Sequence, residues 1–244
     1  MKTQRKKTVF ITGGSRGIGL ATVRLFKEHG WNVATCATRM ENLKDNPADL
    51  QFSCQVSNPQ EIKSTLEQIV QHWGQIDALV NNAGLAGTNS LEPSSDDQLW
   101  HDILNVNLHG TYYVCKYGAA YLPDQTGRVI NIASVLALRG VPDATAYCAA
   151  KHAVLGFTRA LAQHLAPRKI TVNAICPGWT KTDMAESRMK EIGLSEPALN
   201  RSVPLGRMVE PKEVADLIYY LASSEGASMM TGQALTIDGG SLGA

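Results

Sequence analysis

Three side chains in one stretch of the sequence could together perform acid–base chemistry. Tyr147 and Lys151 are four positions apart, and Ser134 precedes Tyr147 by thirteen. On a helix the first two would emerge from one face, one turn apart. A neighbouring ammonium favours the phenolate, so we expect Lys151 to lower the pKa of Tyr147 from its usual value of about 10. Such a tyrosine can give or take a proton near neutral pH. The alternative is a half-buried aromatic beside a lysine that extends to solvent.

A glycine-rich turn near the start of the chain could hold a nucleotide. The apolar run Thr8–Thr12 predicts a buried strand, and it leads into Gly13-Gly14-Ser15-Arg16-Gly17-Ile18-Gly19. Apolar residues then recur at helical spacing, at Ile18, Ala21, Leu25 and Phe26. Glycines let the backbone approach a pyrophosphate, and the start of the helix offers free N–H groups. The alternative is an ordinary turn between a strand and a helix.

The spacing Thr-Gly-x-x-x-Gly-x-Gly, from Thr12 to Gly19, resembles the fingerprint of the short-chain dehydrogenase/reductase family. Asn-Asn-Ala-Gly at 81–84 is similar to the family's second signature, although alone it would indicate only a turn. Pro177-Gly178 and the closing segment Thr231–Gly240 also resemble the family. The resemblance extends from Thr8 to Gly240, and the joint presence of these motifs favours an enzyme over an inert scaffold.

The resemblance implies hydride transfer between a nicotinamide and a ketone carbon. Tyr147 would exchange the proton, Lys151 would tune it and hold the nicotinamide ribose, and Ser134 would orient the carbonyl oxygen. Asn107 matches the family's catalytic asparagine, which distorts its helix and holds a water in the proton relay. His109, close by, is expected to be a packed or surface histidine.

The same resemblance implies a dinucleotide along the glycine turn and the strand ends. Gln55 stands where the family usually has an aspartate near the adenine, and Thr180 stands where isoleucine or valine is common beside the nicotinamide. The implied cofactor-binding residues are Thr12, Gly13, Ser15, Arg16, Gly17, Ile18, Gly19, Thr38, Arg39, Gln55, Val56, Asn82, Ala83, Gly84, Tyr147, Lys151, Pro177, Gly178, Thr180 and Thr182.

The end of the second predicted strand indicates which dinucleotide is bound. An acidic residue there would bind the ribose 2′-hydroxyl of NAD, but the sequence runs Cys36-Ala37-Thr38-Arg39. Arg16 lies within the glycine turn, and two guanidiniums converging on this position suit a 2′-phosphate. Two solvated arginines are the alternative. The absence of an acidic residue at this position favours NADP(H) more than the presence of the two arginines does.

Alternating buried strands and amphipathic helices predict an α/β fold, a Rossmann-type doubly wound sheet of about seven parallel strands with helices on both faces. We expect one domain over 1–244. Within it we expect a third strand over Leu50–Val56 and a long helix from Asp96 to about Tyr121. The polar, weakly periodic segment at about 184–203 predicts a mobile substrate lid. Its candidate apolar lining is Met184, Met189, Ile192 and Leu194.

Composition narrows the function classes. The 244 residues are 44% hydrophobic and 18% charged, with a net charge of +1, which gives no sign of a nucleic-acid or membrane partner. The basic start Met1–Lys7 is not followed by an apolar run long enough for a signal peptide or a membrane span, so we expect a solvated tail. Five scattered cysteines without a Cys-x-x-Cys pair favour a reduced, cytoplasmic protein with no metal site.

Within the family, the glycine turn and the segment from Val203 to Leu235 most resemble 3-oxoacyl-[acyl-carrier-protein] reductases. The carrier docks on those enzymes through surface arginines, of which Arg168 is kept and the other is replaced by Gln125. The implied substrate is a 3-oxoacyl thioester, and acyl carrier protein is a possible partner. Another ketone, a sugar or a polyol is the alternative substrate, and a non-catalytic NADP-sensing protein is the alternative class. The resemblance also implies a homotetramer formed through the last helix and strand.

Overall fold

The computed structural model describes residues 5–243, so most of the expected N-terminal tail lies outside the described residues. Seven strands alternate with eight α-helices along these residues. In chain order they are β1 (Thr8–Thr12), α1 (Gly17–Glu28), β2 (Asn32–Ala37), β3 (Leu50–Ser53), α2 (Pro59–Trp73), β4 (Ala78–Asn81), α3 (Gln98–Leu104), α4 (Gly110–Gly118), β5 (Arg128–Ile132), α5 (Thr145–Leu165), β6 (Thr171–Pro177), α6 (Asp183–Glu191), α7 (Glu196–Ser202), α8 (Pro211–Ser223) and β7 (Ala234–Ile237).

All seven strands pair in parallel in the order β3-β2-β1-β4-β5-β6-β7. The chain builds outward from β1 to β3, then returns to the other side of β1 and continues to β7. The direction of winding therefore reverses between β1 and β4, and ligands of such sheets bind beyond the carboxyl ends of the strands at this reversal. The predicted fold class is confirmed.

Helices cover both faces of the sheet because alternate strand residues face opposite layers. On one face, Phe10 packs in a buried cluster with Ile62 and Leu66 of α2, Val114 of α4 and Leu165 of α5. On the other face the buried cluster joins β1 to α1 and α8; its members include Val9, Ile11, Val23, Phe26, Val214 and Ile218. Burial on both faces explains why the strands are nearly continuous apolar runs.

The third strand is shorter than predicted. We expected it to reach Val56, but it ends at Ser53. The Cys54 N–H still donates to the Ala37 carbonyl, at 2.8 Å, but the Gln55 N–H donates instead to the Glu61 carboxylate, at 2.7 Å. Glu61 belongs to the first turn of α2, which the Asn58 side chain caps. A bond to the start of α2 thus takes the place of further pairing with β2, and the strand ends.

The expected long helix from Asp96 to Tyr121 is present from Gln98 but is interrupted. A π-helical turn, Asn105–His109, lies between α3 and α4, and a 3₁₀ turn, Ala119–Tyr121, ends the rod. The π turn contains Asn107, so the expected distortion of the helix occurs at this residue. His109 is exposed and contacts the side chain of Asn105, as expected of a surface histidine.

Helix covers much of the segment in which we expected the lid. Thr182 caps α6 by accepting a hydrogen bond from the Ala185 N–H, and α7 follows after a short turn. The segment is therefore better capped and more regular than its weak periodicity suggested. Met189 and Leu199 are buried with Met208, and Leu194 packs against them.

Candidate active site

A cleft of about 660 Å³ lies beyond the carboxyl ends of the strands, at the reversal of winding. Most of the predicted site residues line it: Gly13, Ser15, Arg16, Gly17, Ile18, Thr38, Gln55, Val56, Asn82, Ala83, Gly84, Ser134, Tyr147, Lys151, Pro177, Gly178, Thr180 and Thr182. Four predicted residues, Thr12, Gly19, Arg39 and Asn107, do not line it. Segments far apart in sequence thus meet around one space.

Thr12 and Gly19 support the glycine turn from below. The Thr12 hydroxyl accepts the N–H groups of Asn82 and Ala83, each at 3.0 Å. The Asn82 amide donates to the carbonyls of Thr12 and Gly13, also at 3.0 Å. A Cβ on Gly19 would lie 2.2 Å from the Gly13 oxygen, so only glycine fits there. The two sequence signatures therefore hold each other in place.

The start of α1 suits a phosphate. Its cap residue, Arg16, makes no side-chain capping bond, and the first turn carries no acidic residue. Gly13 and Gly17 have positive φ, which turns the backbone over the end of the helix. An anion at this position would be stabilised by N–H groups and by the helix dipole. The cradle therefore fits a pyrophosphate.

The two arginines expected at a ribose 2′-phosphate do not converge here. Arg16 lines the cleft, but its guanidinium pairs with Asp183 at 3.3 Å, and both side chains are exposed. Arg39 is exposed and lies outside the cleft lining. Both are long side chains on flexible stems, which can change direction at little cost. Thr38, between β2 and Arg39, does line the cleft, and no carboxylate follows β2 before Glu41.

Ser134, Tyr147 and Lys151 come together in the lining of the cleft. Ser134 follows β5 by two residues, and its hydroxyl accepts the Leu136 N–H at 3.1 Å. Tyr147 is in the first turn of α5, and Lys151 is one turn later. Lys151 is only 4% exposed, and its ammonium donates to the Ile132 carbonyl at 2.7 Å. The strand end and the helix start thus bring the three predicted side chains into one space.

The expected lowering of the Tyr147 pKa is wrong in this arrangement. Burial raises the pKa of Tyr147 to about 12, although hydrogen bonding with the Ser134 side chain opposes the shift. The Lys151 ammonium lies 5.5 Å from the centre of the tyrosine ring and is bound to Ile132. Burial also lowers the pKa of Lys151 to about 8. Desolvation is therefore the main cause of both pKa shifts.

Asn107 has a structural role that the sequence did not reveal. Its amide oxygen accepts the Leu85 N–H at 2.7 Å, and its amide nitrogen donates to the Leu85 carbonyl at 2.8 Å. Its own carbonyl accepts the Thr111 hydroxyl at 2.9 Å. Asn107 therefore ties the π turn to the segment after β4, and its place in a proton relay stays a prediction.

The other end of the cleft is mostly apolar. It is lined by Leu136, Val141, Trp179, Met184 and Ile192, with Arg139 at the rim. Met184 and Ile192 were predicted to line the lid, whereas Met189 and Leu194 pack away from the cleft with Leu199. This end of the cleft can accept a hydrophobic chain.

The sequence analysis missed the polar contacts that hold α6 over this apolar end. Arg188 pairs with Asp143, which precedes α5, and bonds to the Thr88 hydroxyl in the segment after β4. It also pairs with Glu191 at 2.7 Å, and Glu191 accepts the Thr88 N–H at 2.8 Å. These bonds lower the pKa of Glu191 to about 2. The partners lie up to 103 positions apart, so no local pattern announces them.

Residues 5–243 contain neither a metal-binding cluster nor a membrane-spanning helix. No group of three or more histidine, cysteine, aspartate or glutamate side chains is arranged to hold a metal ion. None of the helices in the same range combines the length and the apolar character needed to cross a bilayer. The five cysteines are all buried and free, as the absence of a pairing pattern suggested.

Comparison with known proteins agrees with this geometry. Residues 13–241 match the family model described as "Enoyl-(Acyl carrier protein) reductase". A putative ketoacyl reductase of Streptomyces coelicolor is 38% identical over 98% of both chains. The 3-oxoacyl-[acyl-carrier-protein] reductase FabG of Thermotoga maritima is 38% identical over 96% of this chain and 97% of its own.

A solved structure extends the likeness to three dimensions. A single-substitution variant of the actinorhodin polyketide ketoreductase, crystallised with NADPH, has a TM-score of 0.90 and 36% identity over 99% of both chains. Sequence and fold therefore agree over nearly the full length. The chain belongs to the short-chain dehydrogenase/reductase family.

Proposed function

We propose that this protein uses NADPH to reduce a ketone to a secondary alcohol, and that its substrate is a 3-oxoacyl thioester. The observation that carries the proposal is the meeting of Ser134, Tyr147 and Lys151 in the cleft that also contains the glycine turn. A proton donor and a nucleotide cradle in one space are what carbonyl reduction by a nicotinamide requires.

The cradle supports NADP(H) as the cofactor. The uncapped start of α1 would hold the pyrophosphate, and Asn82, Ala83 and Gly84 would border the adenosine. Arg16 would leave Asp183 for the 2′-phosphate, joined by Arg39, because no carboxylate at the end of β2 opposes that group. NADPH, when bound, supplies the hydride.

Tyr147 would donate its proton to the carbonyl oxygen of the substrate. With its pKa raised to about 12, the phenol carries its proton throughout the neutral range, so the proton is present for reduction. The stabilisation of the phenolate that makes it a better acid would have to come from groups bound beside it. Ser134 would donate a hydrogen bond to the same oxygen and stabilise its developing charge. Lys151 would hold the nicotinamide ribose and stabilise the phenolate left behind, and Asn107 would complete the relay that returns the proton.

The apolar end of the cleft supports an acyl chain as the group beside the ketone. Leu136, Val141, Trp179 and Ile192 offer hydrocarbon and aromatic surface. Burying such surface contributes roughly 25 cal/mol per Å² to binding. The ketoacyl and 3-oxoacyl-[acyl-carrier-protein] reductases among its relatives support the same substrate class.

The arginine expected to dock acyl carrier protein is bonded within the chain. The Arg168 guanidinium bonds to Asp124 at 2.7 Å and to the carbonyls of Ala119 and Leu122 at 2.7 and 2.6 Å. The Gln125 N–H donates to the Arg168 carbonyl at 2.8 Å. The one arginine kept for docking is thus occupied within the chain, so we propose that the thioester is recognised mainly by its acyl group.

The test is NADPH oxidation by the purified chain with acetoacetyl-CoA, with the same acyl group on acyl carrier protein, and with a panel of ketones and sugars. We expect turnover with both thioesters at similar kcat/KM. A much higher kcat/KM with the carrier-bound thioester would mean that docking of the carrier protein contributes to recognition. Turnover only with another ketone would change the substrate class. No oxidation by any compound, with NADPH still bound, would indicate the non-catalytic sensor.

We also propose that the chain forms the homotetramer that the family resemblance implies, through its last helix and strand. Leu205, Tyr220 and Met229 are large, exposed apolar side chains in or near the last helix and strand. Large apolar side chains left exposed near this helix and strand support an association surface there. Sedimentation velocity of the wild-type chain checks the assembly, and a monomer at micromolar concentration would contradict it.

A further inference from the structure

The helix that carries Tyr147 and Lys151 begins without a cap from its own chain segment. The cap position of α5 is Ala144, whose methyl group cannot accept a hydrogen bond. Tyr147 is the third residue of this helix, within the turn whose N–H groups have no partner inside the helix. A partner from elsewhere is therefore needed to fix the turn that contains the proposed proton donor.

Asn89 supplies this cap from the segment between β4 and α3. Its amide oxygen accepts the Ala146 N–H at 2.9 Å, and its amide nitrogen donates to the Thr145 hydroxyl at 2.7 Å. The side chain comes from 57 positions earlier, and Asn89 is 9% exposed. Both polar ends of one amide are thus used on the two residues that precede Tyr147.

The residue next to Asn89 is held by α6. The Thr88 N–H donates to Glu191 at 2.8 Å, and the Thr88 hydroxyl bonds to Arg188. Thr88 and Asn89 therefore form a two-residue connection between the helix over the substrate end and the start of α5. This connection fixes the direction from which the Asn89 amide reaches α5.

We propose that Asn89 is a positioning residue for Tyr147, acting as the N-cap of α5 that the helix itself lacks. The inference rests on the proposed ketone reduction, because its effect is on the proton donor. Without this cap, the first turn of α5 can fray, and Tyr147 then spends less time in reach of the carbonyl oxygen. Asn89 touches neither cofactor nor substrate in this proposal.

The experiment compares Asn89→Ala with Asn58→Ala, a matched control. Asn58 is also an asparagine cap, and its side chain accepts the N–H groups of Gln60 and Glu61 at the start of α2. Each substitution removes one cap, so we expect similar falls in Tm of about 2–4 °C. Activity is measured with the best ketone and saturating NADPH, together with the Kd for NADPH.

We expect a loss of kcat, without a loss of NADPH binding, in Asn89→Ala alone. Asn89→Ala should lower kcat about tenfold and leave the Kd for NADPH within about twofold, while Asn58→Ala keeps kcat within about twofold. Asn89→Asp keeps the acceptor for the Ala146 N–H, so it should retain kcat within about threefold of the wild type.

Two results would overturn the role: an unchanged kcat in Asn89→Ala, or equal losses of kcat in Asn89→Ala and Asn58→Ala. If Asn89→Ala does not fold, Asn89→Ser takes its place, because a serine hydroxyl fills a polar site but is too short to reach both partners. A wild-type chain that reduces no ketone would remove the proposed function and this role with it. An active wild type with a normal Asn89→Ala enzyme would remove the role alone.

Discussion

The two ends of the cleft are built in different ways. At the nucleotide end, the bonds run between backbone and the short side chains of Thr12 and Asn82, and there is no space for a Cβ on Gly19. At the substrate end, long side chains from three segments meet, with Arg188 of α6 bonded to Asp143 and Thr88. The first end is fixed by packing, and the second is held by polar contacts.

This difference predicts which end can move. Close packing has no low-energy alternative arrangement, whereas an ion pair with one exposed partner contributes little net stability and can exchange with water. Asp143 and Glu191 are 41% and 39% exposed at their side chains, which suits contacts that open and close. The lid predicted at about 184–203 therefore stays a prediction, but with α6 as its moving part.

Tyr147 lies where the two ends meet, and its removal should have the largest effect. Tyr147→Phe keeps the ring and deletes the proton donor, so we expect kcat to fall by about 10³-fold while the Kd for NADPH changes little. Steady-state kinetics and fluorescence titration of NADPH measure the two quantities. Tyr117→Phe is the control, since Tyr117 packs against the core away from the cleft. Near-normal turnover in Tyr147→Phe would remove it from the chemistry.

Gly19→Ala tests the packed end. The added methyl would lie 2.2 Å from the Gly13 oxygen and 2.5 Å from the Asn82 amide nitrogen, so the glycine turn must shift. Overpacking of this kind costs about 1–3 kcal/mol, which corresponds to about a 5–150-fold rise in the Kd for NADPH. Gly156→Ala is the control, because nothing lies within 4 Å of its Cβ position. Unchanged binding in Gly19→Ala would mean that this end is not rigid.

The pH dependence of reduction tests whether Lys151, which lies between the two ends of the cleft, must carry its charge. Burial lowers the pKa of Lys151 to about 8 and raises that of Tyr147 to about 12. As pH rises, Lys151 loses its charge first, while Tyr147 still carries its proton. We therefore expect kcat/KM to fall about tenfold between about pH 7 and pH 9. A profile that stays flat up to about pH 10, well above the lowered pKa of Lys151, would show that the ammonium is not needed in its charged form.

Arg188→Gln tests the substrate end and should have the smallest effect. It removes the bonds from α6 to Asp143 and to the Thr88 hydroxyl, so the substrate end should close less often. We expect the KM for the ketone to rise about three- to tenfold, with the Kd for NADPH unchanged. Lys190→Gln, an exposed change on the same helix, is the control. An equal effect of both substitutions would mean that overall charge, rather than these contacts, matters.

The nucleotide end could be predicted from the sequence because its determinants are local. Strand β1 has the predicted bounds, and the glycine turn and the start of α1 follow it as predicted. A glycine turn between a strand and a helix specifies its own geometry, since each glycine permits a positive φ or a close backbone approach that a side chain would prevent. The end of β5 and the start of α5 then bring Ser134 and Tyr147 to the same cleft.

The substrate end could not be predicted in the same way. The bonds that Arg188, Glu191 and Asn89 make to other segments of the chain have partners 45 to 103 positions away. The helices at this end, α6 and α7, are short and polar, so tertiary contacts rather than periodicity hold them. The raised pKa of Tyr147 was missed for a related reason, because desolvation depends on everything packed around the phenol.

The π turn at Asn105–His109 takes up one more residue than an α-helical turn would between α3 and α4. On one side of the turn, Ile103 packs against Ala146 and Ala150 of α5, and on the other side, Val114 packs in the core with α2. Because a π turn spreads one rotation over an extra residue, a deletion of one residue there would restore an uninterrupted α-helix with both packing faces kept nearly in phase. The change would fall instead on Asn107, whose bonds to Leu85 are made from within the turn. Such a deletion would therefore keep the contact with the helix that carries Tyr147 and loosen the segment after β4.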